Sequence, residues 1–198
     1  PHPCRAGIFA SRLAVRIVAG SAGGISLHVP RSEIRPTMDR VKAAIFSALG
    51  EKIVDARVLD LFAGTGSLGI EALSRGCATA TFVDNDADAT DAIERNFVRA
   101  KLRGDVWRGD VFRFLEKRAT AGGYDVIFAD PPYVKKNGDR DFANDLLRCA
   151  PLAEALAPAG VFVLEKMPAQ VIDWPAPWEC VRLKKYGATE VAFLNAEA

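Results

Sequence analysis

The sequence predicts an α/β fold, a mostly parallel seven-stranded sheet with helices on both faces, preceded by a small hairpin-helix extension. Three observations carry this expectation. From Arg57 onward, short apolar runs alternate with helically spaced stretches, the pattern of parallel strands joined by crossover helices. A glycine-rich turn follows the first of these runs at Gly64-Thr65-Gly66. Acids close four successive strands at Asp60, Asp84, Asp110 and Asp130, and such sheets bind ligands beyond the carboxyl ends of their strands.

The elements follow in order. Residues 1–14 read as a leader. Residues 15–50 form the extension, with strands at Val15–Ala19 and Ile25–Val29 turned by Gly20, Gly23 and Gly24. Apolar residues at Val41, Ala44, Ile45, Ala48 and Leu49 have helical spacing from about Met38, and Gly50 closes that helix. Residues 51–198 make the main domain. Its strands are Val58–Phe62, Thr79–Val83, Val106–Arg108, Tyr124–Ala129 and Val161–Leu164. Its helices lie near Leu68–Arg75, Asp88–Lys101, Val111–Arg118 and Phe142–Leu156. Glu179–Leu183 and Glu190–Leu194 read as a closing antiparallel pair.

Composition excludes several classes. The chain has 198 residues, 49% hydrophobic and 26% charged, ordinary for a globular domain with a sizeable core. Cys4, Cys77, Cys149 and Cys180 lie far apart with no Cys/His cluster, so no metal site is expected, and reduced thiols in a cytoplasmic protein are the default. No apolar run is long enough to span a bilayer, and Arg12 and Arg16 interrupt the stretch that a secretory signal would need. Nothing demands more than a monomer. Net charge is only +1, but the bases cluster: Arg5, Arg12, Arg16, Arg31, Arg35, Arg40 and Lys42 before Ile45, then Arg95, Arg99, Lys101, Arg103, Arg108, Arg113, Lys117 and Arg118. Such clusters suit one phosphate-binding face or an ordinary solvated surface.

The run Asp60-Leu61-Phe62-Ala63-Gly64-Thr65-Gly66 passes from a strand into a helix. Glycines there let the backbone turn tightly and approach a ligand. Gly64-x-Gly66-x-x-Gly69 also matches a dinucleotide fingerprint. Asp60 shifts the balance, because a carboxylate suits the ammonium and sulfonium of S-adenosylmethionine, which carries no phosphate. Asp84 with Asn85 stands where a ribose-binding acid belongs, though it is also placed to cap the next helix; Asp86 and Asp88 offer that cap instead. Asp110 with Val111 falls where an adenine edge would lie. The expected cofactor residues are therefore Asp60, Phe62, Ala63, Gly64, Thr65, Gly66, Asp84, Asn85, Asp110, Val111 and Asp130.

Asp130-Pro131-Pro132-Tyr133 is the most informative stretch. An exocyclic amine on a planar base is a poor nucleophile, because its lone pair is delocalised into the ring. Two acceptors holding its N–H groups make it more pyramidal, and the Asp130 carboxylate and Pro131 carbonyl are suited to that. The prolines stiffen the loop. Tyr133 offers a flat face for stacking a base. A proline-rich turn with a capping acid is the plain structural alternative.

With these motifs the chain resembles class I, Rossmann-like methyltransferases of the amino-modifying branch. Arg35-Pro36-Thr37-Met38-Asp39-Arg40-Val41, after the glycine-rich hairpin, is similar to the signature of the bacterial 16S ribosomal RNA guanine-N2 methyltransferase family (guanine-966 type). The likeness runs from about Val15 to Leu194 and includes Lys185-Tyr186-Gly187-Ala188-Thr189-Glu190. It implies S-adenosylmethionine as cofactor, Asp130, Pro131, Pro132 and Tyr133 as the groups handling the base, and Arg35, Thr37 and Arg40 lying near RNA over the active site. It implies the small ribosomal subunit as partner. Asp-Pro-Pro-Tyr alone is shared with DNA-adenine and protein-amide methyltransferases. A nicotinamide-dependent oxidoreductase and a catalytically silent RNA-binding module are the readings from other classes.

Overall fold

The computed structural model describes residues 15–29, 39–134, 136 and 138–197. The expected leader, Arg31, Arg35 and Thr37 lie outside the described residues. The main chain folds as β1 (Arg57–Leu61), α2 (Ser67–Ser74), β2 (Thr79–Asp84), α3 (Ala87–Ala100), β3 (Asp105–Arg108), α4 (Val111–Lys117) and β4 (Tyr124–Ala129). It continues as α5 (Phe142–Leu147), α6 (Ala150–Ala155), β5 (Leu156–Lys166), β6 (Trp178–Tyr186) and β7 (Thr189–Ala196). Helix α1 (Asp39–Leu49) precedes them.

The strands form one seven-stranded sheet in the order β3-β2-β1-β4-β5-β7-β6. The first five are parallel and β7 and β6 add antiparallel, as the sequence predicts. The central strands are apolar on both faces because each face carries its own core. One face packs Val58, Phe128, Val163 and Phe193 against Ile17, Val41, Ile45 and Phe46. The other packs Leu59, Ile127, Phe162 and Leu194 against Phe114, Leu146 and Leu152. Each large apolar side chain buried this way contributes about 1.5–3 kcal/mol. The extension thus shares a core with the sheet.

Three expectations need correction. The hairpin strands reduce to a single bridge, Arg16 with Ser26, held by three backbone bonds such as Leu27 N to Val15 O at 2.7 Å. The first α-helix ends at Leu49, as Gly50 predicts, and a 3-10 turn, Gly50–Ile53, follows it. The helix expected over Phe142–Leu156 is two helices, because Pro151 lies in the first turn of the second and cannot continue the first. Strand β5 begins five residues earlier than expected, at Leu156. Ala159 takes a left-handed conformation (φ 60°), and the register shifts there, so the Pro158-Ala159-Gly160 break is a bulge rather than an end.

Gly69 is required by close approach. A Cβ on it would sit 2.3 Å from Cε1 and 2.6 Å from Cζ of Phe82, a core ring already packed edge-on against Phe97 at 5.2 Å. Gly69→Ala is expected to lower stability by about 1–3 kcal/mol through this overpacking. Urea denaturation checks it, and an unshifted midpoint would mean that the Phe82 ring yields without cost.

Candidate functional site

The order of strands reverses between β1 and β4, and that switch point places the site. The chain leaves β1 through Phe62, whose φ of 56° is unusual for a residue with a side chain. Ala63 N donates to Val83 O at 3.1 Å. Gly64 and Gly66 also take positive φ, 53° and 73°, and Gly66 leads into α2. The turn therefore folds back over the strand ends. Beyond it lies a cleft lined by Asp60, Phe62, Ala63, Thr65, Ser67, Leu68 and Asp130. Two acids from neighbouring strands and three of the turn residues named from the sequence, Phe62, Ala63 and Thr65, share that cleft.

The acids also hold the turn itself. Asp60 is buried, and its Oδ2 accepts from Gly69 N at 2.8 Å. Asp84 Oδ2 accepts from Gly64 N at 2.8 Å, and its Oδ1 from Asp86 N at 2.9 Å. The cap of α3 belongs to Asp86, which accepts from Asp88 N at 2.8 Å. Asp84 is thus the clamp between two loops and leaves capping to its neighbour. Asp110 does cap α4, accepting from Arg113 N at 2.9 Å. Val111 behind it is buried and Asn85 is exposed.

A dinucleotide needs the start of the helix after the glycines for its pyrophosphate. Here a buried carboxylate, Asp60, already faces Gly69 N in that first turn. An anion would be repelled there and a cation welcomed. The donor set fits an ammonium-bearing, phosphate-free cofactor better than a nicotinamide dinucleotide.

In the tetrapeptide, Pro131 is buried, Pro132 exposed, and Asp130 and Tyr133 half-buried. Tyr133 Oη lies 3.2 Å from Thr189 Oγ1, which ties the loop to β7. The far end of the same loop is held through Asp141. It caps α5 at Asn144 N, 3.1 Å, and accepts from Gln170 Nε2 at 2.7 Å. The Gln170 carbonyl in turn accepts from Lys166 Nζ at 2.9 Å, and Lys166 pairs with Glu190 at 2.8 Å.

Several residues at the site have no clear local signal in the sequence. Phe62, Phe142 and Phe112 form a ring cluster at the strand ends, with centroid distances of 5.4 and 6.4 Å. The Arg140 guanidinium lies 4.4 Å over Phe112 and 4.8 Å over Phe142. Phe112 directly follows Asp110-Val111, the one hint available. A second group fastens the extension to the glycine turn. Asn96 on α3 accepts from His28 N at 2.6 Å and donates to His28 O and Thr65 O, both at 3.1 Å. Lys42 on α1 is fully buried and donates to Arg16 O and, at 3.0 Å, to Ser67 Oγ of the cleft. Burial pushes its ammonium below the usual lysine range, and the nearby Glu71 carboxylate opposes that shift. Arg40, two residues earlier in the same helix, is exposed at the site end of α1. The signal for Lys42 was a charge inside an apolar helical stripe.

The second basic run does not form one face. Lys101 and Arg103 precede β3, at the amino end of the sheet, while Arg108 closes β3 at the carboxyl end. Among the described residues there is no group of three or more His, Cys, Asp or Glu able to hold a metal, and no helix long and apolar enough to cross a membrane. Burial pushes the Cys77 thiol up to about 12.

The chain is similar to several known proteins. The Bacillus subtilis protein YlbH is 44% identical over 125 residues, 60% of this chain and 67% of that protein. Ribosomal RNA small subunit methyltransferase D of Escherichia coli K12 is 39% identical over 121 residues, 60% of this chain and 60% of that protein. The matched segment thus spans about three fifths of the Escherichia coli relative. The solved structure of the Escherichia coli protein yhhF superposes with a TM-score of 0.76 at 31% identity, covering 93% of this chain and 98% of that one. The model of the family described as "Conserved hypothetical protein 95" matches residues 15–195, nearly the whole chain, and the chain belongs to that family.

Proposed function

We propose that this chain transfers a methyl group from S-adenosylmethionine to the exocyclic N2 of a guanine in 16S ribosomal RNA, of the guanine-966 type, in the assembled or partly assembled small subunit. The observation that carries this reading is the pairing of Asp60 and Asp130 across one cleft at the switch between β1 and β4. One carboxylate suits a cationic cofactor and the other a base amine. Ribosomal RNA small subunit methyltransferase D, named above, supports the choice of substrate.

The residues divide the work. Asp60 and the turn Phe62–Gly66 hold the amino-acid end of the cofactor, Asp84 with Asn85 the ribose, and Asp110 with Val111 the adenine edge. When bound, S-adenosylmethionine supplies an electrophilic methyl carbon on a positively charged sulfur. Tyr133 stacks the extruded guanine. Asp130 and the Pro131 carbonyl accept from the two N–H groups and hold the nitrogen lone pair in line with the methyl group, so that positioning carries much of the rate. The bound donor would supply the methyl carbon and keep the bonding electron pair on its own sulfur. The developing positive charge on nitrogen is met by the Asp130 carboxylate, which takes the released proton directly or through water. Arg35, Thr37 and Arg40 contact the RNA.

The test is incubation with radiolabelled S-adenosylmethionine and small ribosomal subunits lacking the modification, beside protein-free ribosomal RNA, duplex DNA and ribosomal proteins. Label is expected in N2-methylguanosine after digestion of the subunit RNA. Label in adenine of DNA or in protein amides would replace this reading with that of a related amino-methyltransferase.

A further inference from the structure

The β6–β7 hairpin meets the tetrapeptide loop where Thr189 lies against Tyr133. Its sequence, Lys185-Tyr186-Gly187-Ala188-Thr189-Glu190, is part of the family resemblance and has no role in the chemistry above. The register gives it one. After the bulge at Cys180–Arg182, Arg182 pairs with Phe193, Lys184 with Val191 and Tyr186 with Thr189. Val191 and Phe193 belong to the core on the extension's face of the sheet. Arg182, Lys184 and Tyr186 therefore line up on that face, about 7 Å apart at each step. Leu183 and Lys185 fall on the opposite one. β6 is the sheet's edge, so nothing lies beyond this row in the sheet. Arg182 and Lys184 are exposed. Neither forms an ion pair among the described residues, where seven such pairs occur elsewhere. Glu190, in register with Lys185 on the opposite face, is paired with Lys166 and does not offset the row.

The row points at the site. Tyr186 and Thr189 close the hairpin at the carboxyl end of the sheet, and Thr189 meets Tyr133 at 3.2 Å. We propose that Arg182 and Lys184 form an RNA-backbone rail that holds phosphates flanking the target nucleotide while its base turns into the cleft. This rests on the reading of the chain as an RNA methyltransferase. The occupant is RNA because a base must be unstacked to reach Asp130, and a splayed strand presents regularly spaced phosphates to evenly spaced cations. Neutralising phosphates also releases counterions, which makes binding depend steeply on salt.

The test uses the full chain and small subunits lacking the modification. Arg182→Gln/Lys184→Gln is expected to raise KM for subunits at least tenfold with kcat and S-adenosylmethionine affinity unchanged. The slope of log affinity against log salt should fall by about 1.4–1.8, the loss of two phosphate contacts. Two controls isolate the placement: Arg182→Lys/Lys184→Arg should keep wild-type KM and slope. Lys101→Gln/Arg103→Gln, removing equal charge at the other end of the sheet, should leave both near wild type. Equal losses from both Gln pairs, or no loss from the first, would overturn the rail while leaving the RNA reading intact. Absence of RNA methylation by the wild-type chain would overturn both.

Discussion

Asp130→Ala is expected to lower methyl transfer roughly a thousandfold, within the range for losing a positioned proton acceptor and its electrostatic support. S-adenosylmethionine binding should change far less. Asp130 lies at the rim of the cleft with the end of β4, whereas the turn contacts come from Asp60, which is buried and bonded to Gly69 N at 2.8 Å, and from Asp84 on Gly64 N. Alanine at 130 leaves both of these clamps in place. Asp130→Asn separates the two duties of the carboxylate: it keeps one acceptor oxygen and removes the negative charge. If holding the amine dominates, the Asn variant should recover a good part of the loss; if charge on the developing cation dominates, it should resemble alanine. Calorimetric cofactor binding and single-turnover transfer measure the two separately. Transfer near the wild-type rate in Asp130→Ala would refute the assignment of this carboxylate to the amine.

Where the sequence and the structure agree, the information is local. β4 begins and ends where expected because a buried run, Tyr124–Ala129, is bounded by Gly123 and Asp130. The glycine turn and the acids are visible for the same reason. Their mutual arrangement is not. That Asp60 reaches Gly69 and Asp84 reaches Gly64 depends on α2 folding back over β1 and on β2 lying beside it. The Pro151 break was there to be read in the sequence, but helical periodicity on both sides obscured it. Least legible is the polar seam under the extension. Its partners are 25 to 68 residues apart, as in Lys42–Ser67 and His28–Asn96. No periodic pattern identifies such pairs, since a charge within an apolar stripe shows only that a partner is needed.

That seam has its own consequence at Glu71. Its side chain and that of Lys42 are each 0% exposed, with 3.6 Å between Nζ and Oε2. The carboxylate also accepts from Val18 N at 2.6 Å, Ala19 N at 3.0 Å and Arg75 Nε at 2.7 Å, so one acid satisfies two backbone donors of the extension and two cations. Arg75 is further held over Phe46 of α1 at 4.8 Å. Glu71→Gln preserves the shape, removes the charge and turns one acceptor into a donor facing other donors. Breaking a buried pair by neutralising one member costs about 3–5 kcal/mol, a large share of the 5–15 kcal/mol typical of whole domains. For a chain of this size the melting temperature should fall by about 10 °C. Lys42→Met in the Glu71→Gln background removes the stranded ammonium, so the double variant should be more stable than the sum of the two single changes by more than about 0.5 kcal/mol. Urea denaturation of all four proteins closes the cycle. Strict additivity would show that the two charges act independently and that the backbone donors alone dock the extension. Coupling would show that the ion pair fastens α1 to α2 and holds the extension against the sheet.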